Sequence, residues 1–338
     1  MRTGIYFILV AALAIALLLS IRFGGVSIST GEIVSALQKN FSAPDTMTLN
    51  ERIFMTIRLP RAILCVLVGA SLAVGGTLMQ ALFRNPIVEP GLIGTSSGAA
   101  FGAALYFVLG ASLHLTASEW TLPIAAGAGA VLSTTLVFLF SQSGDTGKSS
   151  VVSLLLTGMA VNALFMSGVG FLSYIARDPQ ARSITFWGMG NLSGANWHSV
   201  RVISVSTTLC LFASLRYAKQ LNALMLGEDE ARFLGVNVRN LKLVVLLINV
   251  ILIATATAFV GVISFIGLIS PHLLRIMKGA DNRFLLLASA ILGGTLLSIA
   301  DILARVLLRP AELPIGIVTS FVGVPVFIYL LRRKNYFF

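Results

Sequence analysis

Ten stretches of the chain, at about residues 5–21, 62–82, 91–109, 122–140, 150–172, 198–215, 243–260, 262–274, 284–304 and 313–331, are apolar and almost free of charge. A helix of about 20 such residues crosses the hydrocarbon of a bilayer. The pattern predicts an all-α, polytopic membrane protein with ten transmembrane helices, built as a single transmembrane domain over 1–338. The first run lacks the small-residue cleavage site that ends a secretory signal and is long enough to cross, so it is expected to remain as a span. From Leu243 to Pro271 the chain has 29 residues without a charge. As one straight helix they would reach about 44 Å, against a hydrocarbon core of roughly 30 Å. The chain must therefore reverse within this run, which Gly261 and Gly267 interrupt, making a tight hairpin whose second span is short. Backbone at such a break is tolerated only where it is buried in protein or lines a cavity.

Composition agrees with the pattern. Apolar residues make up 57% of the chain and charged ones 11%, far from the soluble mix of about half and a quarter. Basic residues give the orientation. With the N-terminus in the cytoplasm, 14 of the 24 Lys and Arg fall on the cytoplasmic side, for a net +8 there against +3 outside. Both termini are thus expected in the cytoplasm. The formal charge of +11 then reflects topology and not nucleic-acid binding, because no basic face with interleaved aromatics lies outside the spans.

Candidate chemistry is sparse. Cys65 and Cys210 fall in apolar runs, where a free thiol behaves as a small hydrophobe. His114, His198 and His272 lack metal-ligand spacing; each is either structural or available to a haem-like cargo. Gly147-Lys148-Ser149 ends like a phosphate-binding loop, but Gln142 stands where the first glycine is required and no strand precedes it. No catalytic constellation is present either, so the chain is expected to be no enzyme and to hold no metal or cofactor.

The flanks of the spans carry more. Ile57-Arg-Leu-Pro-Arg61 sets two arginines at the mouth of the 62–82 run, and Pro86 and Pro90 stiffen the loop at its other end. Gly94, Gly98 and Gly102 make a four-residue ridge for close helix packing or, as the second reading, for lining a pore. The longest cytoplasmic connection, about 218–241, reads as two short helices. Leu221 and Leu224 lead to Gly227; Glu228, Asp229, Glu230, Arg232 and Leu234 lead to Gly235. Each glycine can take the left-handed conformation that ends a helix, and the three acids suit a helix start. These helices are either a docking surface for a cytoplasmic motor or an ordered loop without a partner.

Together, Ile57-Arg-Leu-Pro-Arg61, Met79-Gln-Ala-Leu82, Asn85-Pro86, Glu89-Pro-Gly91, Gly261-Val-Ile-Ser-Phe-Ile-Gly-Leu268, Pro271-His272, Ala300-Asp-Ile-Leu-Ala-Arg305 and Ala311-Glu-Leu-Pro-Ile-Gly316 resemble the permease subunit of ABC importers for iron complexes (siderophores, haem) and cobalamin. The resemblance covers nearly all of the chain from about residue 50. It implies a homodimer in the cytoplasmic (inner) membrane of a bacterium, with the pathway between the two copies. Two ATP-binding-cassette subunits, which hold the ATP and Mg, and a periplasmic or lipoprotein substrate-binding protein are the further partners. By the same resemblance Arg58, Arg61 and Arg305 are outer arginines that meet glutamates of the binding protein, unless they merely snorkel to interface water. The 221–240 segment matches the coupling helices. Asn85, Ile87, Val151 and Val152 match the inner gate, and the two valines are less polar than the serine or threonine of cobalamin importers. Asp281-Asn282-Arg283 departs from the family's commoner Asp-His-Arg.

An ion-coupled secondary transporter is the competing class, and it would need intramembrane acids as a relay. All 13 acids are expected in loops or near span ends. The cargo is not specified. Met79, Met159, Asn162 and Met166 either line a pathway or pack, and Phe186-Trp187 either stacks on a planar tetrapyrrole or belongs to an aromatic belt.

Overall fold

A computed structural model describes residues 2–23, 28–42, 44–110, 118–141, 151–308 and 310–332. Its membrane helices are α1 (Arg2–Arg22), α4 (Leu59–Leu82), α5 (Thr95–Leu109), α6 (Thr121–Phe140), α7 (Val151–Ile175), α9 (Trp197–Leu226), α11 (Val238–Val260), α12 (Ile266–Lys278), α13 (Asn282–Val306) and α14 (Ile315–Arg332). Between them lie short helices that the hydropathy pattern does not announce: α2 (Thr30–Ser42), α3 (Leu49–Ile53), α8 (Asp178–Gly188) and α10 (Glu228–Phe233). Among the described residues seven helices are long and apolar enough to cross a membrane; α5, α12 and α14 are shorter. The ten apolar runs and the ten membrane helices therefore coincide, and the chain is an all-α polytopic membrane protein. An even number of crossings brings the start of α1 and the end of α14 to one face, here the terminal face.

α4 forms the hub and is the most buried of the long spans. Lipid gives apolar helices no hydrophobic reason to associate, so close backbone approach has to supply the packing. Small residues along α4 permit it. A Cβ on Gly69 would run into the Gly293 carbonyl of α13, and one on Gly76 into the Gly267 carbonyl of α12. The predicted glycine ridge works in the same way, since a Cβ on Gly98 or Gly102 would strike the α6 carbonyls of Gly129 or Ala125. Close packing is thus the role of Gly98 and Gly102. The long apolar run breaks where expected: α11 ends at Val260, Gly261 caps it with φ 74°, and α12 begins five residues on at Ile266.

Two local departures have physical causes. α3 runs into α4 through a single π-helical turn at Phe54–Arg58. Pro60 lacks an N–H and its ring crowds the carbonyl four residues before it, and at this point the Leu59 N–H bonds Phe54 O, five residues back. The second departure is a correction. The first of the two short helices expected near 221–227 does not exist separately, because α9 runs unbroken from Trp197 to Leu226. Leu221 and Leu224 are fully buried and belong to the core.

Candidate functional site

At the face opposite the termini, one acid ties three helices together. Asp301 on α13 is fully buried. Its Oδ1 lies 2.9 Å from Arg61 Nη2 on α4, and its Oδ2 lies 2.9 Å from Arg305 Nη2 one helical turn along α13. Arg61 also reaches half-exposed Glu312 at 2.9 Å. Arg305 donates to the Phe23 and Ser20 carbonyls at 2.9 and 3.1 Å, and Arg58 donates to the Ile21 and Arg22 carbonyls at 3.0 and 3.2 Å. Those four carbonyls end α1, where the helix leaves acceptors unused and its dipole is negative, so two guanidinium groups cap it. The three arginines expected on one rim do converge there. They are buried within the single subunit, at 7%, 9% and 7% exposure, and do not reach interface water as snorkelling side chains would. Their guanidinium groups are instead taken up inside the fold.

Beside this rim α2 and α3 form a small polar hairpin. Thr48 and Glu51 make a capping box at the start of α3, and Lys39 of α2 holds Glu51 at 2.9 Å. The Ser35 hydroxyl, the Thr48 N–H and the Lys39 ammonium bring the Glu51 carboxyl down to about 2.

The terminal face is built differently. α9 stops at Gly227, whose φ of 144° lies outside the tight left-handed well expected for it; α10 starts there and ends in a Schellman motif. Val236 N–H bonds Ala231 O, Gly235 N–H bonds Arg232 O, and Gly235 has φ 78°, the geometry that ends a helix at a glycine. Lys242 holds Glu228 at 2.7 Å and Arg232 holds Asp229 at 3.0 Å, so two of the three acids are tied locally. The surface that remains is an apolar knob. Phe233 is 90% exposed, with exposed Leu226 and Leu234 beside it. Phe233 was not among the expected contact residues, although its place next to Leu234 before a capping glycine is the signal that would have found it. Behind the knob, Asn222 of α9 donates to Asp281 at 2.9 Å and accepts from the backbone and side-chain N–H of Asn282 at 2.8 and 2.9 Å. Asn282, whose role the sequence left open, thereby joins the end of α9 to the start of α13.

Of the gate residues, Asn85 accepts the Ile87 N–H at 3.1 Å, and Ile87 and Val152 are exposed; the Val151 side chain lies outside the described residues. Of the pathway candidates, Met79 is fully buried in the core, so it packs and lines nothing. Met159, Asn162 and Met166 are exposed on α7. Asn162 and Met166 border a cavity of about 280 Å³ with Ser96, Ser97, Phe107 and Trp187, and its lining contains no charged side chain.

His198 stacks edge-on against Trp120 at 4.0 Å, and His272 is buried; His114 and the Gly147-Lys148-Ser149 segment lie outside the described residues. Among the described residues no three His, Cys, Asp or Glu side chains gather as a metal site would require. The expectation that every acid sits in a loop or near a span end needs one qualification: Glu89 is in a loop, but its neighbour Pro90 packs within the helix bundle against Gly75 and Gly267.

A family-wide description of FecCD transport proteins matches residues 12–333. The chain belongs to the FecCD transport family. It is 45% identical over 296 residues to the hemin transport system permease protein HmuU of Yersinia pestis, covering 88% of this chain and 87% of that protein. It is 37% identical over 312 residues to the cobalamin import system permease protein BtuC of Halobacterium salinarum, covering 92% and 81%. Its fold superposes with a TM-score of 0.84, at 33% identity and over 97% of this chain and 99% of the other, on an inward-facing ABC transporter assigned to the metal-chelate type. The chain is therefore a permease subunit of an ABC transporter and not itself the catalyst of ATP hydrolysis.

Proposed function

We propose that this permease imports an iron complex, a siderophore or haem, as one of two identical copies that enclose the pathway between them. The observation that carries the cargo class is the uncharged cavity beside α7. Phe107, Trp187 and Met166 offer it apolar and aromatic surface, with Asn162, Ser96 and Ser97 as the few polar groups. Sites for large chelates are mostly apolar with a few placed polar groups. A small oxyanion would instead require cations or a set of converging N–H donors. The 45% identity to a hemin permease supports haem first and ferric siderophores second; cobalamin, carried by the second relative, is the alternative.

The terminal face is the cytoplasmic one in this reading, by the excess of positive charge there. Two ATP-binding-cassette subunits dock on it through α10 and its Phe233 knob, flanked by Glu228, Asp229, Glu230 and Arg232. Asn85, Ile87, Val151 and Val152 close the pathway on that side at the two-fold axis. A substrate-binding protein sits on the opposite face. Of the three arginines there, Arg61 is the one whose half-exposed partner, Glu312, a docking carboxylate could replace; Arg58 and Arg305 hold the rim in shape. The test is uptake into vesicles that hold the full assembly, with haemin, a ferric hydroxamate and cobalamin offered through the cognate binding protein. ATP-dependent uptake of haemin or the hydroxamate, abolished by Asn162→Arg in the cavity, is the expected result. Uptake of cobalamin alone, or uptake indifferent to Asn162→Arg, refutes the cargo assignment.

A further inference from the structure

Glu89 belongs to none of the sites above, yet this partly buried acid stands in a loop that enters the helix bundle. Its loop turns back into the helix bundle after α4. Pro90, the next residue, sits 3.3 Å from where a Cβ on Gly75 would stand and 2.7 Å from one on Gly267. Gly75 lies seven residues before the end of α4, about 10 Å of rise into the bundle. The loop is fastened at this depth from two sides. Asn249 of α11 donates to Pro90 O at 3.2 Å, and Glu89 Oε1 accepts the Phe265 N–H at 3.1 Å. Among the described residues the Glu89 carboxylate makes no ion pair. An acid at such a depth calls for a functional explanation.

The contact it makes is an unusual one. Phe265 is the N-cap of α12, has no side-chain cap, and holds φ 70° without being glycine. That conformation is unfavourable and persists only when its surroundings impose it. The carboxyl group supplies what the helix start lacks, an acceptor for a free N–H. Phe265 in turn meets α14, because a Cβ on Gly323 would stand 2.6 Å from the Phe265 Cβ. One side chain therefore fastens the loop that begins with Asn85 and Ile87 to the start of α12 and, through Phe265, to α14.

We propose that Glu89 is a positioning residue for transport, which clasps the gate loop to the broken hairpin so that loop, α12 and α14 move as a unit. It acts as a hydrogen-bond acceptor and not as a proton or ion carrier. That separates it from the relay acid an ion-coupled transporter would need, and glutamine, which keeps the acceptor, should replace it.

The experiment uses the assembled permease–ATPase complex in lipid nanodiscs and needs no cargo. Deuterium uptake is measured over residues 85–93 and 261–268, and ATP hydrolysis from pH 6 to 8, for wild type, Glu89→Gln, Glu89→Asp and Glu89→Ala. Glu89→Gln is expected to match wild type within about twofold in both readouts at every pH. Glu89→Ala is expected to speed exchange in both segments by about tenfold, the scale of one buried N–H left without its acceptor, and to raise basal hydrolysis as the loop, α12 and α14 stop moving as a unit. Glu89→Asp, one methylene short and the variant expected to assemble should alanine fail, shows the same change to a lesser degree. Two results overturn the proposal. One is exchange in Glu89→Asp and Glu89→Ala equal to wild type, which removes the clasp. The other is a Glu89→Gln variant as damaged as Glu89→Ala, with a wild-type rate that titrates, which makes the charge itself the working part.

Discussion

Asp301→Ala tests the reading of the arginine rim most directly. The native carboxylate is fully buried and receives Arg61 and Arg305, each at 2.9 Å. Truncating it leaves Arg61 with Glu312, and Arg305 with the Ser20 and Phe23 acceptors and the Asp301 carbonyl. Removing one partner from a buried ion pair typically costs about 3–5 kcal/mol, because the surviving charge stays desolvated. Both arginines keep a second partner, so the loss should stay within that range and not double it. At about 1.4 kcal/mol per decade the junction should open on the order of a hundredfold to a few thousandfold more often. Deuterium exchange over 16–23, at the end of α1, and the thermal midpoint of the purified protein report it. The cost should be partly removed in Asp301→Leu/Arg61→Met/Arg305→Met, where no buried charge is left unpaired, although half-exposed Glu312 loses Arg61 and the end of α1 loses the Arg305 donors. An Asp301→Ala protein with unchanged exchange and midpoint would sink the argument, and the arginines would then be free to serve a partner.

Three further outcomes are expected. Glu51 has a folded value of about 2 against 4.5 for the free group, so its contribution is complete above about pH 4.5 and is lost as pH falls through about 2; exchange over 30–53 should stay slow at pH 5 and quicken below pH 3, and a hairpin equally protected at pH 2 contradicts this. Phe233→Ala should weaken binding of the ATP-binding-cassette subunit by roughly ten- to a hundredfold, as for an exposed aromatic anchor, with no shift in the thermal midpoint of the permease; undiminished binding by titration removes Phe233 from the interface. Asn222→Ala and Asn282→Ala should each loosen the α9–α13 junction, and the double variant should cost less than the two added together by roughly 1 kcal/mol; strict additivity means that the amides do not act as a pair.

What the sequence made legible is what depends on the bilayer alone. An uninterrupted apolar run has to cross, and a 29-residue run has to fold back, so ten spans and a broken hairpin follow without a template. The polar helices α2, α3 and α8 answer to local signals that are weaker than hydropathy. Thr48 with Glu51 forms a capping box, and Pro179 stands in the first turn of α8; both are readable, but each needs its helix to be suspected first. Continuation of α9 through Leu221 and Leu224 was illegible for another reason. An apolar pair at the end of a span reads as the start of a loop until the core that buries it is known.

The arginines show where such reading stops. Arg58, Arg61 and Arg305 occur at span ends, and a long cation at a span end ordinarily reaches water. Among the described residues the three arginines reach Asp301, Glu312 and, at the end of α1, the carbonyls of Ser20, Ile21, Arg22 and Phe23. Four of these six are backbone oxygens, which no side-chain pattern marks. They become acceptors only because α1 ends there, and they meet Arg305 only because α13 ends beside it, more than 280 positions along the chain. Helix ends are set locally, but which ends share a rim is set by packing through α4. Charge at a membrane boundary therefore identifies a junction from sequence, and whether that junction faces a partner or its own fold is decided by the carbonyls it can reach.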